Sequence, residues 1–349
     1  MIESNLGIAT ICIEPREVKI FRDMTSDIIP QMNTISEANF LDEMRERGLG
    51  AREKLPELIT FLDSMKSHTG PKVAIIDFPK ATVDDLRPTP TNHLVAGEKN
   101  LFPQDVYRGL ILGMTEWYGY GYTTQQNAVI HNNIVQVKEL ASVPGHSASA
   151  PHELGLHVED ASYNLGEGRD ISPDFLTLHY LRNPHNVPTL VSLPQWDQLS
   201  SNTRDLLSEK WFFNRTNPAQ GGEGNNPEST VSVIYGPSED PWIRLNTAKL
   251  DLEQYEPSQQ AALIEMRNHL EKQRLEILAE SGQILIIDNR RVLHGRPAFK
   301  PSHQPYYNGT DRWQRRLVIS NDSTRIQNYE ASHRIVDPQK VIFEKPDKM

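Results

Sequence analysis

The chain has 349 residues, of which 46 are acidic and 36 basic, and its net charge of −10 argues against binding phosphate backbones or anionic lipid. A hydrophobic content of 37% with 23% charged residues is that of a folded protein rather than a disordered one, and the single cysteine, Cys12, excludes an intrachain disulfide and a thiolate metal cluster. Met1 to Glu14 lacks the basic, apolar and small-residue order of a signal peptide, and no stretch has the apolar length of a membrane span. The expectation is a cytoplasmic enzyme without membrane or nucleic-acid partners, with homo-oligomerisation left open.

Helices are predicted over Glu43 to Lys66, with Leu55, Leu58, Ile59 and Leu62 at helical spacing, and over Phe102 to Tyr118, with Val106, Leu110, Leu112 and Trp117. Between them the β-branched run Val73 to Asp77 predicts a buried strand. Ala128 to Ile130 and Ile134 to Val137 flank a turn-like spacer, His131-Asn132-Asn133, and predict a hairpin. Short strands follow at Phe175 to Leu181, Thr189 to Leu193, Val231 to Tyr235, Trp242 to Leu245, Ile284 to Ile287 and Arg316 to Ser320.

One long helix is predicted from Pro257 to Glu280, carrying Leu263, Met266, Leu270, Ile277 and Leu278 on one stripe and stopped by Gly282. Many short strands with few helical crossovers give an α+β, mainly β fold class with a sandwich or jelly-roll core. The expected organisation is one domain over residues 1–349, with a mostly helical part to about 120 packed on a core from about 121 to 325. Val83 to Asn100, with Pro88 and Pro90, and Asn214 to Ser229, with three glycines, have the composition of lids or surface connections.

The chemistry concentrates in Gly155-Leu156-His157-Val158-Glu159-Asp160 and in Asp288-Asn289-Arg290-Arg291-Val292-Leu293-His294-Gly295-Arg296. In an extended segment residues i and i+2 share a side, so His157 and Glu159 can reach one ion while Val158 turns away. His294 follows an apolar strand. Two imidazoles and one carboxylate supply the ligand set of a mononuclear non-haem Fe(II) site, with positions left open for a cosubstrate and dioxygen (O2). A His-x-Glu triplet alone is weak evidence in a chain with 12 histidines; the ordered set is what carries weight. Arg312 and Arg316 lie four apart in Gly309-Thr310-Asp311-Arg312-Trp313-Gln314-Arg315-Arg316, on one face of an extended segment, where a planar guanidinium can grip a carboxylate in two places.

The order HxE, then Arg182-Asn183-Pro184, then Asp288-Asn289 with His294-Gly295-Arg296, then Gly309 through Arg316, resembles the clavaminate-synthase-like branch of the Fe(II)/2-oxoglutarate oxygenases, which includes hydroxylases of free arginine, asparagine and lysine. The resemblance spans about Gly121 to Asn321 and implies a double-stranded β-helix core with flanking helices. It implies that His157, Glu159 and His294 bind Fe(II), and that Arg312 holds the distal carboxylate of 2-oxoglutarate with Thr189 as helper. Arg316 would take the α-carboxylate of an amino-acid substrate. Gln126 would approach its α-amine, with Gln125 as rival. Because halogenating relatives lack the carboxylate ligand, Glu159 points to hydroxylation.

The substrate end departs from the arginine hydroxylases, in which a segment resembling Trp242 to Ala248 carries two aspartates. Asn246 and Ala248 stand at those places and form no carboxylate fork for a guanidinium. A free L-amino acid is expected, lysine first, with arginine, citrulline, asparagine or a carrier-tethered amino acid as alternatives. A zinc hydrolase or a non-catalytic cupin-like barrel is a more remote possibility, and Arg312 is the residue that separates these readings.

Overall fold

Gln283–Asp288 shows most directly how the chain layers itself. Its Ile284 to Ile287 run is apolar and buried on both faces, as a central strand must be. Ile284 and Ile286 pack into one core with Phe40, Leu58 and Leu110 of the N-terminal helices, while Leu285 and Ile287 pack into another with Leu176, Val191 and Ile277. The period-two alternation thus divides one strand between two cores.

The computed structural model describes residues 2–3, 7–93, 100–143, 146–166, 168–213, 230–299 and 309–343. The predicted connection Asn214 to Ser229 therefore lies outside the described residues, as do residues 94–99 of Val83 to Asn100.

The larger, ten-stranded sheet runs in the order Ile2–Glu3, Ile8–Cys12, Val73–Asp77, Gln283–Asp288, Phe175–Arg182, Trp313–Ser320, Tyr118–Tyr122, Ile335–Val336, Glu330–Ser332, with Asn132–Val135 also paired to Trp313–Ser320. The smaller sheet runs Leu275–Ile277, Thr189–Ser192, Leu293–Arg296, Leu154–His157. Pairing is antiparallel except between Ile8–Cys12 and Val73–Asp77 and between Ile335–Val336 and Tyr118–Tyr122. Helices Glu37–Ala51, Pro56–Ser64 and Asp105–Thr115 contribute to the core on the outer face of the large sheet, and Pro257–Lys272 to the core on that of the small one. Three strands of the N-terminal third thus extend the large sheet while its helices cover it. Among the described residues no helix is long and apolar enough to cross a membrane.

Several predicted elements need correction. The hairpin over Ala128 to Val137 does not form: Gln126, Asn127 and Ala128 all have positive φ, and only Asn132–Val135 is a strand, paired to Trp313–Ser320. The helix predicted to Glu280 ends at Lys272, and Leu275–Ile277 is an edge strand beside Thr189–Ser192. Leu278 is 56% exposed, so it never belonged to a buried stripe. Gly282, with φ +97°, shapes the turn into Gln283–Asp288 rather than capping a helix. The helix predicted over Glu43 to Lys66 is divided at Arg52–Lys54, and Pro56, whose ring suits a first helical turn, begins the next one. Val231 to Tyr235 is split into Thr230–Val231 and Ile234–Tyr235, which pair with different partners.

Candidate active site

Strands Leu154–His157 and Leu293–Arg296 bring His157 and His294 opposite each other as Cα partners, with ring centroids 4.4 Å apart. Gly295 permits this approach, since a Cβ there would lie 2.6 Å from the Leu154 carbonyl oxygen. Val158 turns into the core against Leu245, whose carbonyl accepts from the Val158 N–H at 3.1 Å. His157 and Glu159 are thereby left on the same side. One ligand atom from each of His157, Glu159 and His294 lies within 4.8 Å of the others, a spacing that can hold one metal ion.

The donor set is prepared for a cation. His157 Nδ1 stands 2.9 Å from the Gly155 carbonyl and must carry its proton there, which leaves the Nε2 lone pair for a metal. Burial and the neighbouring His294 push the His157 pKa down to about 4, so the ring is neutral at neutral pH. Burial pushes the Glu159 carboxyl up, but Arg316 and the two histidines outweigh it and hold the group well below the usual carboxylate range. Arg316 Nη1 donates to Glu159 at 2.5 Å, and His294 Nε2 lies 3.4 Å from the other oxygen.

Asn289, which the sequence offered only as part of a motif, fixes the backbone of the carboxylate residue. Its Oδ1 accepts from the Glu159 N–H at 2.6 Å and its Nδ2 donates to the Glu159 carbonyl at 3.0 Å. Asn289→Ala should leave both buried groups unpaired, costing about 1–3 kcal/mol in denaturant unfolding and weakening metal binding roughly 10–100-fold. Unchanged metal affinity in a folded variant would remove Asn289 from this role.

His157, Glu159 and His294 line a cavity of about 760 Å³ that also includes Arg312, Arg316, Thr189, Gln125, Gln126 and Asn246. Arg312 is deeply buried, its guanidinium 5.8 Å from the Tyr180 ring centroid, and among the described residues no carboxylate pairs with it. Burial lowers its pKa. Tyr180 is hydrogen-bonded to Thr189, so the expected helper belongs to the same corner. Arg296, to which the sequence reading gave no task, donates to the carbonyls of Ser149, His152 and Pro297 and is pushed down to about 9 by burial and by the charge of Arg312. Two buried guanidiniums beside one cavity make a subsite for an anion.

Arg316 spreads its donors over Glu159, Asn132 and Gln125. Gln125 is therefore the glutamine in contact with Arg316, and its Nε2 donates to Asp160 at 2.6 Å. Gln126 turns away, donating to the Asn133 carbonyl at 3.3 Å. Asn246 Oδ1 accepts from the Ala248 N–H at 3.1 Å, so it caps the turn Thr247–Lys249 at the cavity wall. Lys249, on that turn, also lines the cavity and was missed because nothing in its local sequence marks it.

The chain is similar to several known oxygenases. The model of the TauD, TfdA family, described as taurine catabolism dioxygenase, matches residues 196–317. The chain is 24% identical over 301 residues to an L-ornithine/L-arginine 3-hydroxylase of Catenulispora acidiphila, covering 78% of this chain and 84% of the relative. It is 28% identical over 244 residues to an enduracididine beta-hydroxylase of Streptomyces hygroscopicus, covering 62% and 67%. Among solved structures, the non-heme iron oxygenase OrfP in complex with Fe and alpha-ketoglutaric acid superposes with a TM-score of 0.77 at 22% identity, over 94% of this chain and 99% of that one. An asparagine oxygenase in complex with Fe(II), 2S,3S-3-hydroxyasparagine and succinate superposes with a TM-score of 0.78 at 20% identity, over the same shares. The structural likeness bears on the fold.

Proposed function

We propose, for a chain that belongs to the clavaminate-synthase-like Fe(II)- and 2-oxoglutarate-dependent oxygenases, that its reaction is hydroxylation of an unactivated side-chain carbon of a free L-amino acid. The observation that carries the reading is Arg312, a buried cation without a carboxylate partner among the described residues, lining the same cavity as His157, Glu159 and His294. A zinc hydrolase or a binding barrel has no use for that second anion site. The two-sheet core, with His157 and His294 on paired strands and Glu159 just beyond one of them, supports the double-stranded β-helix reading.

In this reading His157, Glu159 and His294 hold Fe(II), which with 2-oxoglutarate and O2 supplies the oxidising power for C–H hydroxylation, giving succinate and carbon dioxide. Arg312, supported by Tyr180 and Thr189, grips the distal carboxylate of 2-oxoglutarate, and the positive charge of Arg296 strengthens that subsite. Arg316 takes the α-carboxylate of the amino acid, a grip that a carrier-tethered amino acid, being a thioester, cannot return. The protein's contribution is to decide which carbon faces the metal. The test is succinate formation from 2-oxoglutarate with L-lysine, L-arginine, L-citrulline and L-asparagine, each against its carrier-tethered form. Turnover of tethered forms alone would end the free-substrate reading.

The side-chain end favours a neutral acceptor over the lysine expected from sequence. Lys249 stands on the turn that carries Asn246 and Ala248, and of the cavity's other carboxylates Glu153 pairs with Arg274 while Asp160 accepts from Gln125. A cationic substrate side chain would meet a like charge at short range. Lys249→Ala is expected to raise kcat/KM for lysine and arginine relative to citrulline and asparagine by about tenfold, since a like-charge contact of about 1.4 kcal/mol is removed. An unchanged ranking would remove Lys249 from side-chain selection.

A further inference from the structure

On the wall of the same cavity two hydrogen-bond acceptors are buried with no partner among the described residues: Nε2 of His93 and Oε1 of Gln126. Both side chains hang from the same carbonyl. His93 Nδ1 lies 3.0 Å from the Asn133 carbonyl oxygen and Gln126 Nε2 donates to it at 3.3 Å. The carbonyl can only accept, so it fixes the chemistry of both groups: the proton of a neutral His93 sits on Nδ1 and Nε2 keeps its lone pair, while the amide of Gln126 presents its oxygen away from Asn133. Asn133 Nδ2 in turn donates to the His93 carbonyl at 3.2 Å, which ties the His93 backbone to the same residue.

An unsatisfied buried acceptor is costly, and a ligand that brings donors to this corner would satisfy both at once. The turn carrying Gln126 is itself held against its preference, with φ of 43°, 56° and 62° at Gln126, Asn127 and Ala128, none of them glycine. Both side chains line the cavity that holds His157, Glu159, His294 and Arg316. Burial keeps His93 neutral, as an acceptor must be.

We infer that His93 Nε2 joins the head-group contacts that the family resemblance implies for Gln126 and Arg316 and receives the α-ammonium group of the substrate, so that His93 is a further binding residue for the amino-acid head group. The inference rests on the free amino-acid reading above. An ammonium offers three donors, enough for both acceptors at once. With the head group held at this corner, the side chain extends toward the turn of Asn246 and Lys249.

The test compares wild-type enzyme, His93→Ala and His93→Asn, with L-lysine against 6-aminohexanoic acid and L-citrulline against 5-ureidopentanoic acid, each pair differing only in the α-amine. His93→Ala should raise the KM for the amino acid at least about tenfold, the loss of one hydrogen bond to a charged group, while the KM for 2-oxoglutarate stays the same. The preference for the amine-bearing member of each pair should shrink by the same factor, and His93→Asn, which restores an acceptor, should recover part of it. A structural role alone would lower activity without changing that preference. Wild-type preference retained in His93→Ala overturns the inference and leaves the hydroxylase reading intact; conversion of none of the L-amino acids by the wild-type enzyme overturns both.

Discussion

Replacing His294 with alanine is expected to abolish iron retention and succinate formation together. The ring faces Glu159 at 3.4 Å and His157 across paired strands, and an alanine there reduces the ligand set to one imidazole and one carboxylate. Loss of a direct ligand should exceed the roughly 10–100-fold effect typical of groups that only support a ligand. Metal content by elemental analysis after gel filtration, with circular dichroism to establish that the variant is folded, separates this outcome from unfolding. A folded His294→Ala enzyme that keeps its iron and turns over 2-oxoglutarate would contradict the assignment.

Arg312→Ala should raise the 2-oxoglutarate requirement by at least ten- to a hundredfold, because a charge-assisted, two-point grip in a buried site is worth about 1.5–3 kcal/mol or more. The sign of the stability effect is a second check. Arg312 is buried with no carboxylate partner among the described residues, so removing it from the ligand-free protein deletes an uncompensated charge beside Arg296 and should leave the melting temperature unchanged or higher. Arg312→Lys should recover little, since an ammonium cannot reproduce the planar fork. An unchanged KM for 2-oxoglutarate in Arg312→Ala would leave the anion subsite without its main residue.

The site was far more legible in the sequence than its surroundings. His157 and Glu159 are two apart on a strand end, and that spacing alone determines that they share a side; Val158 turning into the core against Leu245 is the same rule seen from behind. Gln283–Asp288 was legible because an unbroken apolar run has to be central. What failed depended on neighbours distant in sequence. Ala128 to Ile130 has strand-like residues, yet Trp313–Ser320 is paired by Asn132–Val135, and the left-handed turn at Gln126 to Ala128 has no glycine to announce it. Leu275–Ile277 continues the apolar spacing of the preceding helix, and only the open edge of Thr189–Ser192 draws it into a sheet.

The same limit applies within the site. Gln125 and Gln126 are adjacent and chemically identical, so sequence could not say which touches Arg316; backbone geometry turns Gln125 to Arg316 and Gln126 to Asn133. His93 and Lys249 reach the cavity from segments without a motif. Asn289 and Arg296 stood within recognisable motifs, but their tasks, holding the Glu159 backbone and the carbonyls of Ser149 and His152, depend on contacts made 130 or more residues away.

The central claim is that one atom of dioxygen enters the side chain of a free L-amino acid while 2-oxoglutarate becomes succinate. Reaction under isotope-labelled dioxygen, with Fe(II), 2-oxoglutarate and each of L-citrulline, L-asparagine, L-lysine and L-arginine, followed by mass spectrometry of both products, tests it most directly. One labelled oxygen in the amino acid and one in succinate, in equal amounts, is the predicted result. Amino acids recovered without label would contradict it.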